Sequence, residues 1–173
     1  MPTDDVLYRK AAVQDLDEIM KLIEEVVPLL NSQGNFQWNS TYPLRSDFQK
    51  DIDIDELWVA LLNNQVIGVA AITTDQPEEY ADCGLDTSKE AIVAHRIAVS
   101  PHVRGRGIAK GLLRLSDQVG KDKNMNILRV DTNAINIPMQ KVIESLGYTY
   151  FGEVCFKFKG PDMKFKCYEK ILA

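Results

Sequence analysis

A short basic segment that contains two glycines is the part of this sequence best suited to chemistry. Gly105 and Gly107 lie between an apolar run that ends at Val99 and an amphipathic run that begins at Ile108. Glycine lets the backbone approach a ligand closely, and the first N–H groups of a helix bind phosphate because they lack intrahelical acceptors. This order of strand, turn and helix predicts a phosphate site. The side chains that would add positive charge there are Arg104, Arg106 and Lys110.

Two common phosphate-binding motifs do not fit this turn. It lacks the Gly-Lys-Ser/Thr of a Walker loop, and position 110 is Lys where a dinucleotide fingerprint has its third glycine. Two alternatives stay open from the residues alone. One is a generic nucleotide-binding domain that reads phosphate through the same turn, and the other is a plain turn with solvated arginines.

Hydrophobic periodicity predicts the elements that must position this turn, within a single α/β domain over residues 1–173. Strands are predicted at residues 6–11, 57–62, 66–73, 91–99, 126–131, 148–158 and 165–171. Helices are predicted at 16–30, at 108–119 with Gly120 as the stop, and at 139–146 with Gly147 just past the end, and a short helix is predicted within 35–55. Asp15 with Glu18 predicts a capping box, and Ser46 with Gln49 a cap for the short helix. Because hairpins and crossovers both occur, we expect a mixed sheet with helices on its faces.

Composition limits the class of protein. The 173 residues are 45% hydrophobic and 26% charged, as in an ordinary globular domain. The formal net charge of -5 argues against duplex nucleic acid as a partner. Three cysteines without a C-x-x-C predict reduced thiols, and no apolar run approaches the roughly 18 residues of a membrane span. We therefore expect a cytoplasmic protein without a metal, nucleic-acid or membrane partner.

Two segments resemble the GCN5-related N-acetyltransferases. The pattern Val99…Arg104-x-x-Gly107-x-Ala109 is similar to the acyl-CoA-binding motif of that family. A second segment, Asp131-Thr132-Asn133-Ala134-Ile135-Asn136 followed by Gly147-Tyr148, lies where the family has its next element. The resemblance is most specific over residues 91–152. It implies the acyl-CoA N-acyltransferase fold, a mixed and splayed sheet of about six or seven strands flanked by about four helices.

The resemblance also implies a cofactor site for acetyl-CoA as co-substrate, with no metal. The strand 97–99 would pair with the pantetheine arm, and a backbone N–H freed there would stabilise the tetrahedral oxyanion. The basic turn would hold the pyrophosphate, and Asn136 would contact the pantetheine or pyrophosphate region. The cofactor residues so implied are Ile97, Ala98, Val99, Arg104, Gly105, Arg106, Gly107, Ile108, Ala109, Lys110 and Asn136.

The activity implied is transfer of an acetyl group to the primary amine of a small-molecule or peptide acceptor, by direct attack in a ternary complex. The alternative is a non-catalytic acyl-CoA-binding module that has lost the acceptor site. In the family the acceptor pocket is built after the first helix, where Trp38 and Tyr42 lie. The alternative for these two aromatic residues is that they pin a loop to the core. We expect a monomer or a homodimer.

Proton transfer is the point at which this sequence departs from a common family pattern. Many members carry a Tyr seven residues after the helix-start Asn, and that position here is Ile143, which cannot donate a proton. Deprotonating an amine with a pKa of roughly 10 is the harder demand. Asp131, at the end of its predicted strand, is the first candidate for the general base, and His95 is the second. The alternatives are a turn or capping carboxylate for Asp131 and a satisfied core histidine for His95.

Overall fold

The computed structural model describes residues 5–103 and 105–173. Within them the order of strands and α-helices is the predicted one. The strands are β1 (Leu7–Lys10), β2 (Leu57–Leu62), β3 (Gln65–Thr73), β4 (Ile92–Val99), β5 (Ile127–Asn133), β6 (Thr149–Val154) and β7 (Phe165–Ile171). The α-helices are α1 (Leu16–Ser32), α2 (Arg45–Asp53), α3 (Ile108–Lys123) and α4 (Ile137–Ser145). Short 3-10 turns lie at Val13–Asp15, Glu78–Cys83, Pro101–Val103 and Lys157–Lys159.

The strands form a seven-stranded sheet in the order β1-β2-β3-β4-β5-β7-β6. β1 with β2, β2 with β3, β5 with β7 and β6 with β7 are antiparallel pairs. β4 and β5 are parallel, in a register that spans Ile92–Ala94 and Leu128–Val130. The mixed sheet and the number of strands predicted from the sequence are therefore confirmed.

The chain divides into two compact units. The first unit comprises the residues up to Ala71 together with Arg96–Leu112, and the second comprises Ile72–His95 together with Leu113–Ala173. β4 and α3 each contribute residues to both units. Among the described residues, no helix is both long enough and apolar enough to cross a membrane.

The core of the first unit lies between helix α1 and strands β2 and β3. The buried face of α1 has the three- and four-residue spacing of an amphipathic helix, with Leu16, Ile19, Leu22, Ile23 and Val26. These side chains cluster with the buried side chains of β2 and β3 and with Phe48 of α2. At Gly68 of β3, an added Cβ would lie 3.0 Å from Leu112 and 3.1 Å from Ile108, so a larger residue would crowd the start of α3.

The core of the second unit contains an aromatic cluster and one buried charge. Tyr80, Phe156 and Phe165 pack with aliphatic side chains and Cys167. The side chain of Arg129 is only 1% exposed, and its Nη2 lies 2.8 Å from a carboxylate oxygen of Glu169. Its other donors reach the Gln76 side chain and the Asp86 carbonyl. A guanidinium is tolerated in this core because its charge is paired and its donors are used.

Both predicted helix caps are wrong. The Asp15 carboxylate does not cap α1, since it accepts hydrogen bonds from the Ala12 N–H and from Arg9, each at 2.7 Å. The Glu18 carboxylate accepts the Val66 N–H at 2.8 Å instead of closing a capping box. At α2 the Leu44 N–H is bound by Asp47 at 2.7 Å, so neither Ser46 nor Gln49 supplies the cap.

Three predicted boundaries are also wrong. α3 continues through Gly120 to Lys123. A Cβ at position 120 would lie 2.8 Å from the Met125 carbonyl oxygen, so the glycine there allows close packing and does not end the helix. β5 continues to Asn133, so Asp131 does not end its strand. β6 ends at Val154 and not at residue 158.

Candidate functional site

The basic turn lies between the end of β4 and the start of α3, as predicted. Gly105 and Gly107 have left-handed φ angles of 80° and 71°. Both glycines are exposed, and within residues 5–103 and 105–173 no heavy atom beyond the glycine and its chain neighbours lies within 4 Å of the Cβ position of either one. The backbone of this turn is therefore open to a ligand. Arg104 lies outside the described residues, and the side chain of Arg106 is exposed.

Helix α3 begins directly after this turn, at Ile108, and is 16 residues long. The Ile108 side chain is buried, whereas Ala109 and Lys110 are half-buried. The first N–H groups of such a helix have no intrahelical acceptor, and the helix dipole is positive there. The turn and the helix start together suit an anion such as a phosphate.

The last residues of β4 follow a residue with an unusual backbone conformation. Arg96 has a φ of 49°, a left-handed conformation that is uncommon for a residue other than glycine. Ile97 and Val99 are half-buried, and Ala98 is packed in the core of the first unit. Ser100, just past the strand, donates its N–H to the Ile67 carbonyl at 2.8 Å. The segment predicted to pair with the pantetheine arm therefore comes directly after a residue with a strained backbone.

Arg96 is held by two residues that were not singled out as its partners from the sequence. Its Nε and Nη2 donate to the two carboxylate oxygens of Asp51, each at 2.7 Å. Its Nη1 donates to the Tyr42 hydroxyl at 3.1 Å. Burial acts to lower the pKa of Arg96, but the hydrogen bonds to Asp51 and Tyr42 outweigh it and raise the pKa above its ordinary value. The guanidinium therefore stays charged.

The two aromatic residues predicted for the acceptor pocket have different surroundings. Trp38 is only 5% exposed and belongs to the core cluster of the first unit, and its carbonyl accepts a hydrogen bond from Asn31 at 2.9 Å. Tyr42 is half-buried and is tied to Arg96. The position of Trp38 agrees with the alternative of core packing. A role of either residue in binding the acceptor stays a prediction.

Asp131, the first candidate for the general base, lies on β5 opposite Cys167 of β7. Its Oδ2 accepts a hydrogen bond from the Tyr80 hydroxyl at 2.6 Å. Burial raises the pKa of Asp131, while the Tyr80 hydrogen bond and the charges of His95 and Lys159 act to lower it. A carboxylate in such surroundings suits proton transfer nearer to neutral pH than an exposed one does. A catalytic role of Asp131 stays a prediction.

His95, the second candidate, is a half-buried residue of β4. Its Nε2 lies 2.9 Å from the Asp75 carbonyl oxygen. If His95 is neutral and Nε2 donates in that contact, Nδ1 is the nitrogen left to accept a proton. The imidazole is therefore partly satisfied by a backbone carbonyl, in agreement with the alternative of a satisfied core histidine.

Tyr80 is the site residue that sequence reasoning missed. It lies in the 3-10 turn Glu78–Cys83, in the segment between the predicted strands at 66–73 and 91–99. It is 0% exposed, and burial raises its pKa well above the ordinary value, with the charge of Asp131 adding to the effect. The phenol therefore keeps its proton and acts as a donor. The available signal was an aromatic residue among acidic ones, which does not reveal a partner 51 positions away.

Asn136 begins α4, as the resemblance implied. Its Oδ1 accepts the Met139 N–H at 3.2 Å, which is the usual bond of an N-cap residue. Its contact with the cofactor stays a prediction. Ile143, two residues before the last residue of the same helix, is fully buried, so core packing replaces the proton donor that many family members have there.

The comparison with protein families decides the identity of this fold. The model of the Acetyltransferase (GNAT) family matches residues 23–148. The chain belongs to the GNAT acetyltransferase family. A GNAT-family acetyltransferase from Streptococcus agalactiae is 30% identical to it, with a TM-score of 0.82 over 97% of this chain and 96% of that chain.

Two further proteins extend the comparison of this GNAT chain. The N-acetylaspartate synthetase of Danio rerio is 30% identical over 96 residues, which are 56% of this chain and 30% of that protein. The chain thus spans about a third or less of the curated relatives it matches. A structure from Salmonella typhimurium, solved with its cofactor acetyl-CoA, is 15% identical, with a TM-score of 0.71 over 97% of this chain and 94% of that chain. At this identity the likeness shows the fold alone.

Proposed function

We propose that this GNAT protein transfers an acetyl group from acetyl-CoA to the primary amine of a small-molecule or peptide acceptor, by direct attack in a ternary complex. The observation that carries the proposal is the open glycine turn at the start of α3. Gly105 and Gly107 hold left-handed conformations, and the described part of the chain leaves free space at both Cβ positions. This turn differs from other open glycine turns of the chain because it leads directly into the first N–H groups of a 16-residue helix.

The residues of the first unit fit the phosphates of acetyl-CoA. The N–H groups of the turn and of the start of α3 bind the pyrophosphate, with Arg106 and Lys110 close in sequence to add positive charge. Arg104 has the same role in this proposal. Acetyl-CoA, when bound, supplies the acetyl group as an activated thioester. The turn suits the phosphates of acetyl-CoA because glycine backbone N–H groups, a helix start and basic side chains are the groups that recognise a phosphate.

The backbone of β4 binds the rest of the cofactor in this proposal. Ile97, Ala98 and Val99 pair with the pantetheine arm, and an N–H of this segment stabilises the oxyanion. The left-handed φ of Arg96 supports this assignment, because strained residues cluster at functional sites. Asp51 and Tyr42 hold the Arg96 side chain directly before the segment.

Asp131 takes the proton of the attacking amine in this proposal. Its Oδ2 is bound by Tyr80, and Oδ1 is the atom that we assign to the amine proton, since each carboxylate oxygen has its own lone pairs. His95 is the second candidate. The thiolate that leaves needs less help, because a thiol has a pKa of about 8.5.

A panel of amines tests the proposed function. The protein is incubated with acetyl-CoA and amino acids, polyamines or short peptides, and thiol release is followed together with the mass of the acetylated product. L-Aspartate belongs in the panel because a relative is named N-acetylaspartate synthetase. We expect one class of amine to give a product whose formation depends on the protein.

Two controls separate the alternatives. Tight binding of CoA without product from any amine would favour a non-catalytic acyl-CoA-binding module. Competition between CoA and ATP for the protein would favour a generic nucleotide-binding domain. We further propose that residues 1–173 act as one acetyltransferase domain in the cytoplasm, as a monomer or homodimer, which gel filtration and cell fractionation test.

A further inference from the structure

We propose that Tyr80 is a positioning residue for acetyl transfer, whose phenol holds the Asp131 carboxylate ionised and oriented so that Oδ1 receives the proton of the acceptor amine. The inference rests on the proposed function and deepens it. It concerns a contact within the second unit, between the 3-10 turn Glu78–Cys83 and strand β5.

The hydrogen bond itself has the geometry of a bond to a charged acceptor. The Tyr80 hydroxyl lies 2.6 Å from Oδ2 of Asp131, and O–H bonds to a carboxylate anion are typically about 2.5–2.7 Å long. The Tyr80 ring is fully buried in the aromatic cluster, with its centroid 6.5 Å from that of Phe156. A ring packed in this way fixes the direction of its hydroxyl.

A glycine lets the Tyr80 segment approach the sheet. Gly152 of β6 is the register partner of Cys167, and Cys167 is the register partner of Asp131. A Cβ added to Gly152 would lie 3.1 Å from the Cβ of Cys83. The Cys83 thiol in turn donates to the Tyr80 carbonyl at 3.3 Å. The backbone that carries Tyr80 is therefore seated on the same strands as Asp131.

The charges around Asp131 decide which group holds the proton. Burial raises the pKa of the Asp131 carboxyl, and the Tyr80 hydrogen bond opposes this, together with His95 of β4 and Lys159 of the turn Lys157–Lys159. The Cys167 thiol also faces Asp131. Burial is the main cause that raises the pKa of this thiol, and the charges of Asp131 and Cys83 add to the effect. Tyr80 has its own pKa raised well above the ordinary value by burial. The phenol therefore stays protonated, and Asp131 is the group that titrates.

The step balances with Tyr80 as a constant donor. The amine nitrogen forms a bond to the acetyl carbon, the carbon–sulfur bond breaks, and the sulfur leaves with the electron pair as thiolate. One amine proton moves to Oδ1 of Asp131 and is then released to the thiolate or to solvent. The Tyr80 proton stays on the phenol oxygen throughout.

The substitution Tyr80→Phe tests the inference, with the pH dependence of kcat/KM as the readout. Without the donor, the pKa of Asp131 rises further, so the acid limb should move to higher pH by about one pH unit, with roughly a tenfold loss of kcat/KM below the limb. The rate should recover at high pH, and the affinity for CoA should not change. Tyr150→Phe removes a half-exposed hydroxyl of the same unit and should leave the limb in place.

A substitution that keeps the shape of the ring guards against a folding defect. 3-Fluorotyrosine at position 80 is a more acidic phenol and a stronger donor, so it should move the acid limb to lower pH. An equal loss at every pH in Tyr80→Phe, or an unmoved limb with fluorotyrosine, would overturn the inference.

Asp131→Asn, measured in parallel, separates this inference from the proposed function. If Asp131→Asn loses the limb while Tyr80→Phe leaves it unmoved, the role of Tyr80 is refuted and the base assignment stands. If Asp131→Asn keeps the rate and the limb of the unmodified protein, the base assignment itself fails. The double variant should show the profile of Asp131→Asn alone, because Tyr80 acts only through Asp131.

Discussion

Arg96 and Asp51 form a two-pronged ion pair in which Nε and Nη2 of the guanidinium each lie 2.7 Å from a different carboxylate oxygen. The side chains are 18% and 5% exposed, so most of this pair is out of water. It joins α2 to the residue of β4 whose φ is left-handed, immediately before the segment proposed to bind the pantetheine arm.

Breaking this ion pair should destabilise the protein strongly. Asp51→Ala leaves the buried Arg96 charge without its partner, which typically costs about 3–5 kcal/mol of unfolding free energy. Urea unfolding measures the loss. Asp17→Ala is the matched control, because it breaks an Arg–Asp contact of the same 2.7 Å length in which Asp17 is 80% exposed. Similar effects of the two substitutions would contradict the structural role assigned to Asp51.

Gly107→Val should weaken the binding of CoA by about tenfold or more, because a branched side chain would occupy the space left for the phosphates. Among the described residues the space at this Cβ position is open, so the clash would be with the ligand. Isothermal titration with CoA measures the loss. An unchanged affinity would remove the main support for the proposed function.

Backbone strain needs its own control in that experiment, since valine is disfavoured at any left-handed φ. Gly160→Val places the same residue at a φ of 87°, also with open space around the Cβ. The affinity for CoA should not change in this variant. If both variants lose CoA equally, general destabilisation explains the result and the turn is not the phosphate site.

Trp38→Ala should act mainly on stability, since the side chain lies in the core of the first unit. Truncating a buried tryptophan typically costs about 3–5 kcal/mol. Thermal unfolding and steady-state kinetics measured together decide between the two roles. A rise in the acceptor KM at unchanged stability would instead support a direct role of Trp38 in the pocket.

Tyr42→Phe tests the other aromatic residue with a smaller change. It keeps the ring and removes the hydroxyl that accepts from Arg96. If Tyr42 helps to define the acceptor pocket, the acceptor KM should rise by about threefold or more, with acetyl-CoA binding unchanged. Unchanged values of both constants would assign Tyr42 to the support of Arg96 alone.

Asp131→Asn should lower kcat/KM by about 10²-fold or more, because an amide cannot take the amine proton. Burial raises the pKa of Asp131, so the acid limb of the unmodified protein should lie above the ordinary range of an aspartate. Part of the loss should be recovered at high pH, where more of the amine is already deprotonated. A variant with normal rates and an unchanged pH profile would move the search for the base to His95 or solvent.

The order of elements could be predicted from this sequence because it depends on local periodicity. The hairpin of β2 and β3 is an example, since Asn63 and Asn64 both adopt the left-handed φ that a tight turn requires. The prediction that α3 stops at Gly120 was wrong, because this glycine serves a tertiary contact with the Met125 carbonyl. A glycine that breaks a helix and a glycine that admits a neighbouring carbonyl look alike in a sequence.

The chemistry of the candidate site could be predicted only in part, because some of its contacts join residues that are far apart in the sequence. The glycine turn is contiguous, and its open backbone follows from the residues themselves. Asp51 lies 45 positions from Arg96, and Tyr80 lies 51 positions from Asp131, on elements that only the fold brings near. Asp15 and Glu18 illustrate the same limit. Their spacing predicted a capping box, but in the structure the Asp15 carboxylate accepts from Arg9 and the Glu18 carboxylate accepts from the Val66 N–H.

The placement of the two tryptophans has a spectroscopic consequence. Trp38 and Trp58 both belong to the first unit, one in its core and the other under the ammonium of Lys10 at 5.1 Å. Since these are the two tryptophans of the sequence, indole fluorescence reports on the first unit only. Circular dichroism of the backbone reports on both units. Coincident midpoints from the two probes would show that the halves of the chain melt as one cooperative body, and separate midpoints would give each half its own stability.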